Sequence, residues 1–194
     1  MLRRARMLGV LSFLLAGGVG IISATQTWAA VQRADAGETL SVAGADAFPL
    51  LAPLSLAVLA LGAALSIAGP VLRWVIAALG LGAAVVLLIG TVPLIGEAPL
   101  SAVAATVTEA TGLGGEKALR DVVAAAPATA WPVIAVLCWA LLAAAAVFVL
   151  ATARRWPVVG RRYRTAPDAA QHRGGPLDAV DSWDDLSHGT DPTD

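Results

Sequence analysis

Three side chains near the end of the chain could meet on one helical turn: Asp184, Asp185 and His188. Two carboxylates and an imidazole so placed could hold a divalent metal. The stretch around them, Asp181-Ser-Trp-Asp-Asp-Leu-Ser-His-Gly189, has a simpler reading. Asp181 or Ser182 caps a short helix, acids fill its first turn, Trp183 and Leu186 share a face, and Gly189 ends it. That is a solvated acidic turn. Elsewhere the single cysteine, Cys138, lies inside an apolar run, and both histidines, His172 and His188, lie in the tail. A Cys/His metal site fits such a distribution poorly. No nucleophile and base pair up, and the chain has neither a phosphate loop nor a dinucleotide fingerprint. The expectation is a protein with no catalytic residues, no cofactor and no metal.

Two features of the tail point to binding instead. A helix as short as 181–189 is not stable alone in water. Its Trp183 and Leu186, beside Asp184, therefore suggest either a docking motif that folds on a cytoplasmic protein or a tail that packs on its own membrane domain. Upstream, Arg154, Arg155, Arg161, Arg162 and Arg164 form a basic run interleaved with Trp156 and Tyr163. That pattern raises the question of nucleic acid, but the run directly follows an apolar segment. Anionic lipid headgroups are then the natural partners, and no nucleic acid is expected.

The elements that must carry this tail are apolar. The chain is 58% hydrophobic and only 14% charged, against about 25% charged in a soluble domain. The deficit is local, because between Asp46 and Glu97 the only charge is Arg73. Two long runs meet there at Gly69-Pro70 and must form an antiparallel hairpin in a bilayer, with the remaining two runs packed on either side. The expected fold is an all-α membrane protein: a four-transmembrane-helix bundle over residues 1–151, with spans of about 7–28, 49–68, 71–95 and 131–151. Residues 29–48 and 96–130 read as external loops. The second of these holds two short helices near 101–110 and 115–125, broken by Gly112, Gly114 and Gly115, whose amphipathic pattern suits a membrane surface. Pro93 predicts a kink or an early stop, while Pro132 sits in the first turn of its helix at little cost. Ala16, Gly17, Gly18 and Gly20 look like helix-packing positions. The first apolar run is long for the core of a secretory leader, so it reads as a retained span. Residues 152–194, basic and then acidic, are expected to be mostly disordered.

Four spans put both termini on one side. That side holds Arg3, Arg4, Arg6, Arg73, Arg154, Arg155, Arg161, Arg162, Arg164 and Arg173, ten of the 13 basic residues. The other side holds Arg33, Lys117 and Arg120. Excess Arg and Lys marks the cytoplasmic face, so both termini are expected in the cytoplasm. Trp28, Trp74, Trp131 and Trp156 fall at span ends and read as interfacial anchors in the lipid bilayer. Trp139, in mid-span, reads as a packing residue. No span carries Asp, Glu, Lys, Arg or His away from its ends, which argues against a proton-driven pump or an ion channel.

Trp183-Asp184, Leu186-Ser187, Gly189 and Asp191-Pro192-Thr193 resemble the terminal motif of the tryptophan-associated transmembrane proteins of actinobacteria. Gln26-Thr27-Trp28 after the first run, four apolar runs and the number of tryptophans are similar too. That family takes its name from genes lying among those for tryptophan synthesis. The resemblance implies a bacterial plasma-membrane location and a link to tryptophan metabolism; it carries over no catalytic residue. Two functions follow as expectations. One is a non-catalytic accessory or anchoring protein associated with tryptophan biosynthesis. The other is a carrier or export path for tryptophan or a related aromatic metabolite.

The orientation has a direct check. Cysteines placed at Asp46 and Glu116 in a Cys138→Ala background should react with a membrane-impermeant thiol reagent on intact cells. A cysteine at Asp178 should react only after permeabilisation, and its labelling on intact cells would contradict four spans with both ends inside.

Overall fold

In hydrocarbon each unpaired backbone N–H or C=O costs several kcal/mol, so a long apolar run closes its hydrogen bonds within itself as a helix. The computed structural model describes residues 2–35 and 37–153, with side chains described from Arg6 onward. It forms four long helices: α1 (Leu2–Ala24), α3 (Leu51–Ile67), α4 (Pro70–Thr91) and α7 (Trp131–Thr152). Among the described residues, three segments are long and apolar enough to cross a membrane: Arg6–Ala24, Pro70–Leu94 and Trp131–Thr152. The fourth helix, α3, is apolar but shorter, at 17 residues.

Pro and Gly set the helix ends. Pro70 and Pro132 stand in the first turns of α4 and α7, where the missing N–H is not needed. Pro93 lies in a short 3-10 turn (Val92–Leu94) that ends α4, and Gly96 follows at φ +88°. The choice left open by the sequence at Pro93 thus resolves as an early stop.

Helix α1 packs most extensively on α3, and α4 on α7; α1 against α7 closes the bundle. The α3–α4 seam is the thinnest of the four. The hairpin at Gly69-Pro70 is therefore present, but each of its helices leans mainly on an outer neighbour. Glycines explain the closeness of α1 to α3. A Cβ on Gly17 would lie 2.7 Å from the Leu59 backbone nitrogen, and one on Gly20 would strike Ser55 and Trp139. Phe13 fills the space over Gly62 and Gly80. Residue numbers rise along α1 as those of its contacts on α3 fall, so the two run antiparallel. Close backbone approach of this kind is a main source of helix association in lipid, where no hydrophobic drive operates between helices. Gly18 and Gly82, by contrast, face open space.

The chain is mostly helical, and the all-α expectation needs correction. The two connections at one end of the bundle hold a three-stranded antiparallel sheet in the order β2-β1-β3, with β1 Thr27–Arg33, β2 Leu40–Ala43 and β3 Val123–Ala125. Around it sit α2 (Gly44–Ala47), α5 (Leu100–Thr111) and α6 (Glu116–Val122). Gly112 and Gly115, both at positive φ, separate α5 from α6. The physical reason for the sheet is hydrogen-bond demand. The 123–130 segment comes back beside β1, and its groups pair there: Ala30 N–H to Pro127 O at 3.1 Å, Thr129 N–H to Trp28 O at 2.8 Å. Residues 96–98, at the start of that same connection, join from the other side, with Ala98 N–H to Ala126 O at 2.9 Å. Val31, Val42, Val103 and Val107 are buried in the same core as Phe13, Leu65 and Leu142, so bundle and cap share one apolar interior.

Gly17 and Gly18 make a matched test. Gly17→Ala should cost ~1–3 kcal/mol, since the α1–α3 contact has no room for the methyl. Gly18→Ala should be neutral or stabilising by up to ~1 kcal/mol through helix propensity. Thermal unfolding of the full chain in detergent reads both, and equal effects would contradict this packing.

Candidate functional site

The stretch Gln26-Thr27-Trp28 sits where α1 gives way to the cap. Thr25 and Gln26 close the helix by bonding back, Thr25 N–H to Ile22 O at 3.2 Å and Gln26 N–H to Ser23 O at 3.1 Å. The pairing of β1 with β2 then slips between Thr27 and Ala29, leaving Trp28 as the extra residue of a bulge. A bulge lets successive side chains share one face, and Trp28 and Ala29 are both buried. Trp28 is 1% exposed; its indole Nε1–H donates to the Ser23 carbonyl at 2.9 Å and to Ser23 Oγ at 3.0 Å. Gly44 makes room, because a Cβ there would meet both the Ser23 carbonyl and Trp28 Nε1 at 2.7 Å. Thr129 ties the third segment in, with its Oγ1 donating to the Thr27 carbonyl at 2.7 Å. The result is a knot of backbone and indole bonds that locks α1, β1, α2 and the entry to α7 together.

This placement changes the reading of Trp28. A ring enclosed by protein and bonded to Ser23 offers no surface to a lipid headgroup; its place in the chain is structural. Sequence reasoning missed Ser23, Gly44 and Thr129 as its partners. The usable signal was the polar triplet Thr25-Gln26-Thr27, which ends the helix earlier than the apolar pattern suggests. The other tryptophans differ. Trp74 is exposed on the first turns of α4, and Trp131 is half-buried at the start of α7. Trp139 is fully buried with its six-membered ring toward Gly20, a packing role in keeping with its mid-span position. Trp156, and the docking candidates Trp183, Asp184 and Leu186, lie outside the described residues, as does the tail whose disorder the sequence suggests. The structure thus brings Trp28 into the cap junction, and of the other expected site residues it describes Trp74 and Trp131.

The charged groups of the cap lie on its surface. Arg33 Nε donates to Asp35 Oδ1 at 3.0 Å, and the Gly37 N–H donates to the same oxygen at 3.0 Å. The Arg33 bond, then the Gly37 N–H, holds the Asp35 carboxyl below its ordinary range, and the carboxylate raises Arg33 in turn. A depressed acid adds stability above its unfolded pKa and loses it as pH falls through the folded value. For so exposed a pair the contribution is small and confined to acid pH. Glu116 and Arg120 form an ion pair one turn apart on α6. Among the described residues no group of three His, Cys, Asp or Glu side chains could hold a metal ion.

Long apolar helices, a filled interior and a polar cap define a helical membrane protein. A family model described as "Tryptophan-associated transmembrane protein" matches residues 10–193. The chain belongs to that family, and the match takes in both Gln26-Thr27-Trp28 and the tail motif. No curated protein and no solved structure matches it.

Trp28→Phe keeps the ring and removes the N–H. It should lower stability by ~1 kcal/mol, the typical net worth of one hydrogen bond, plus the cost of leaving Ser23 unpaired. Trp131→Phe should cost less than half as much. Unfolding midpoints of the two variants in detergent provide the comparison.

Proposed function

We propose that this chain is a non-catalytic accessory or anchoring protein of the bacterial plasma membrane that associates with tryptophan biosynthesis through its tail. The observation that carries this reading is how the bundle is filled. Phe13, Trp139, Leu65, Leu87 and Leu142 are fully buried at its centre, and glycines on α1 bring the backbones together over them. A close-packed interior suits a scaffold better than a conduit. The carrier reading, for tryptophan or a related aromatic metabolite, remains the alternative and requires this interior to open.

The same proposal makes all four helices spans, with both termini cytoplasmic. At 1.5 Å per residue α3 reaches ~25 Å, the short end of what crosses hydrocarbon. Its packing along α1 supports its crossing the bilayer beside that helix, in the opposite direction. The basic run after α7 would then lie at anionic headgroups, and Trp74, Trp131 and Trp156 at the interface. The family match extends to residue 193, which supports the tail as part of the working protein.

The tail motif supplies the test. Burying one large apolar side chain contributes ~1.5–3 kcal/mol gross, part of it spent on ordering the turn. Association should therefore be weak and helped by tethering at the membrane. After crosslinking in cells and detergent extraction, wild-type chain should co-purify with an enzyme of tryptophan synthesis. Trp183→Ala should lower that recovery by about tenfold or more at unchanged protein level, while Asp194→Ala should not. Equal recovery from Trp183→Ala and wild type would contradict docking through the tail.

A further inference from the structure

The first residues of the chain follow the three-part order of a secretory leader. Arg3, Arg4 and Arg6 form a basic opening, 7–22 an apolar core, and Thr25-Gln26-Thr27 a polar exit. Leader peptidases cut after two small residues that stand two positions apart. Thr27 and Ala29 satisfy that rule, and Ala30 would follow the cut. The long core makes α1 a span, but it leaves the cleavage rule at Thr27 and Ala29 in place.

The fold closes this bond. Trp28 and Ala29 are each 1% exposed. Ala29 stands opposite Val42 of β2 on one side and Ala128 on the other. The Ala30 N–H, whose nitrogen a cut would release, donates to the Pro127 carbonyl, and the Trp28 carbonyl accepts the Thr129 N–H. A protein that grips an extended segment does so by pairing with its backbone groups. Here those groups are already paired within the chain. The first part of the closure is local, because the Trp28 indole bonds Ser23 five residues before it. Gly44 leaves the room for that bond, since a Cβ there would lie 2.7 Å from both the Ser23 carbonyl and Trp28 Nε1. The 127–129 segment then covers the second edge of β1.

We propose that the peptide bond between Ala29 and Ala30 is a leader-type cleavage site that the cap conceals, so that α1 stays joined only in chains whose cap has closed. The cut is a hydrolysis. The oxygen of water bonds the Ala29 carbonyl carbon, the C–N bond to Ala30 breaks, and Ala30 leaves as a free amine carrying the proton. What such a cut removes is the covalent link between the cap and the helix whose Gly17, Gly20 and Phe13 make the contacts of the bundle. The proposal rests on residues 27–30 lying outside the cytoplasm, where leader peptidases act, and is independent of what the tail binds.

The experiment uses the full chain, purified in detergent and incubated with a bacterial leader peptidase. Intact mass is read before and after incubation. Wild-type chain should keep α1 at both points. Gly44→Leu pushes the Ser23–Trp28 bond apart, and Trp28→Ala removes the ring; both leave Thr27 and Ala29 for the peptidase to read. Each variant should be cut about tenfold faster than wild type or more, because cleavage tracks the population of the opened form. The product should begin at Ala30. Thr27→Arg, at an exposed position, should abolish that cut in the Gly44→Leu background, which separates a specific site from general loosening. Three results would overturn the proposal. One is wild-type chain that begins at Ala30 or is cut as fast as the variants. The second is no product beginning at Ala30 from either variant, and the third is undiminished cutting with Thr27→Arg. In detergent both faces are reachable, so a wrong topology leaves these outcomes unchanged and shows instead in the thiol labelling of intact cells.

Discussion

Two glycines on one edge of α1 set how near the helices can come, and the rest of the molecule follows from that distance. Lipid tails are as apolar as leucine, so helices in a bilayer gain nothing from merely hiding apolar surface from one another. What they gain is contact, and contact needs small residues at the crossing. Gly17 lets α1 reach the Leu59 backbone, and Gly20 accepts Ser55 from α3 and Trp139 from α7. Phe13, one turn below, then fits over glycines of both α3 and α4. α1 packs along α3 and α7 and reaches α4 through Phe13, and the cap continues from its last turn through Ser23 and Trp28.

Much of the frame was legible in the sequence because its signals are local. Apolar runs of span length, the Gly69-Pro70 break, Pro93 as a terminator and the Gly112–Gly115 breaker each act over a few residues. The sheet was not legible, for two reasons. Its central strand does not alternate, since the bulge at Trp28 buries two successive residues. Its partner in β3 lies about ninety residues away along the chain and shows no pattern of its own over three residues. Which glycines face inward was equally hidden: Gly17 and Gly18 are neighbours of one type, and only the position of α3 tells them apart.

Among the candidate site residues, the sequence placed Trp139 in the packing correctly in kind, since a mid-span indole has few other roles. Trp28 was misread for a physical reason. A tryptophan at the end of an apolar run fits an interfacial anchor and a buried helix-end clamp equally well, and the Ser23 carbonyl that decides between them is a backbone group with no sequence signature. Arg73 shows the reverse. As the lone charge of the hairpin it was conspicuous, yet its burial beside Arg6 depended on how α1 meets the α3–α4 link.

The chain belongs to the tryptophan-associated transmembrane family, and the two kinds of work proposed for it make opposite demands on the filled interior. A scaffold keeps Phe13 and Trp139 in place; a carrier must move them. Flux measured across liposomes containing the full chain addresses this most directly. With correctly inserted protein, tryptophan and indole should cross at the rate of protein-free vesicles. Faster flux of either solute would contradict the packed-scaffold account.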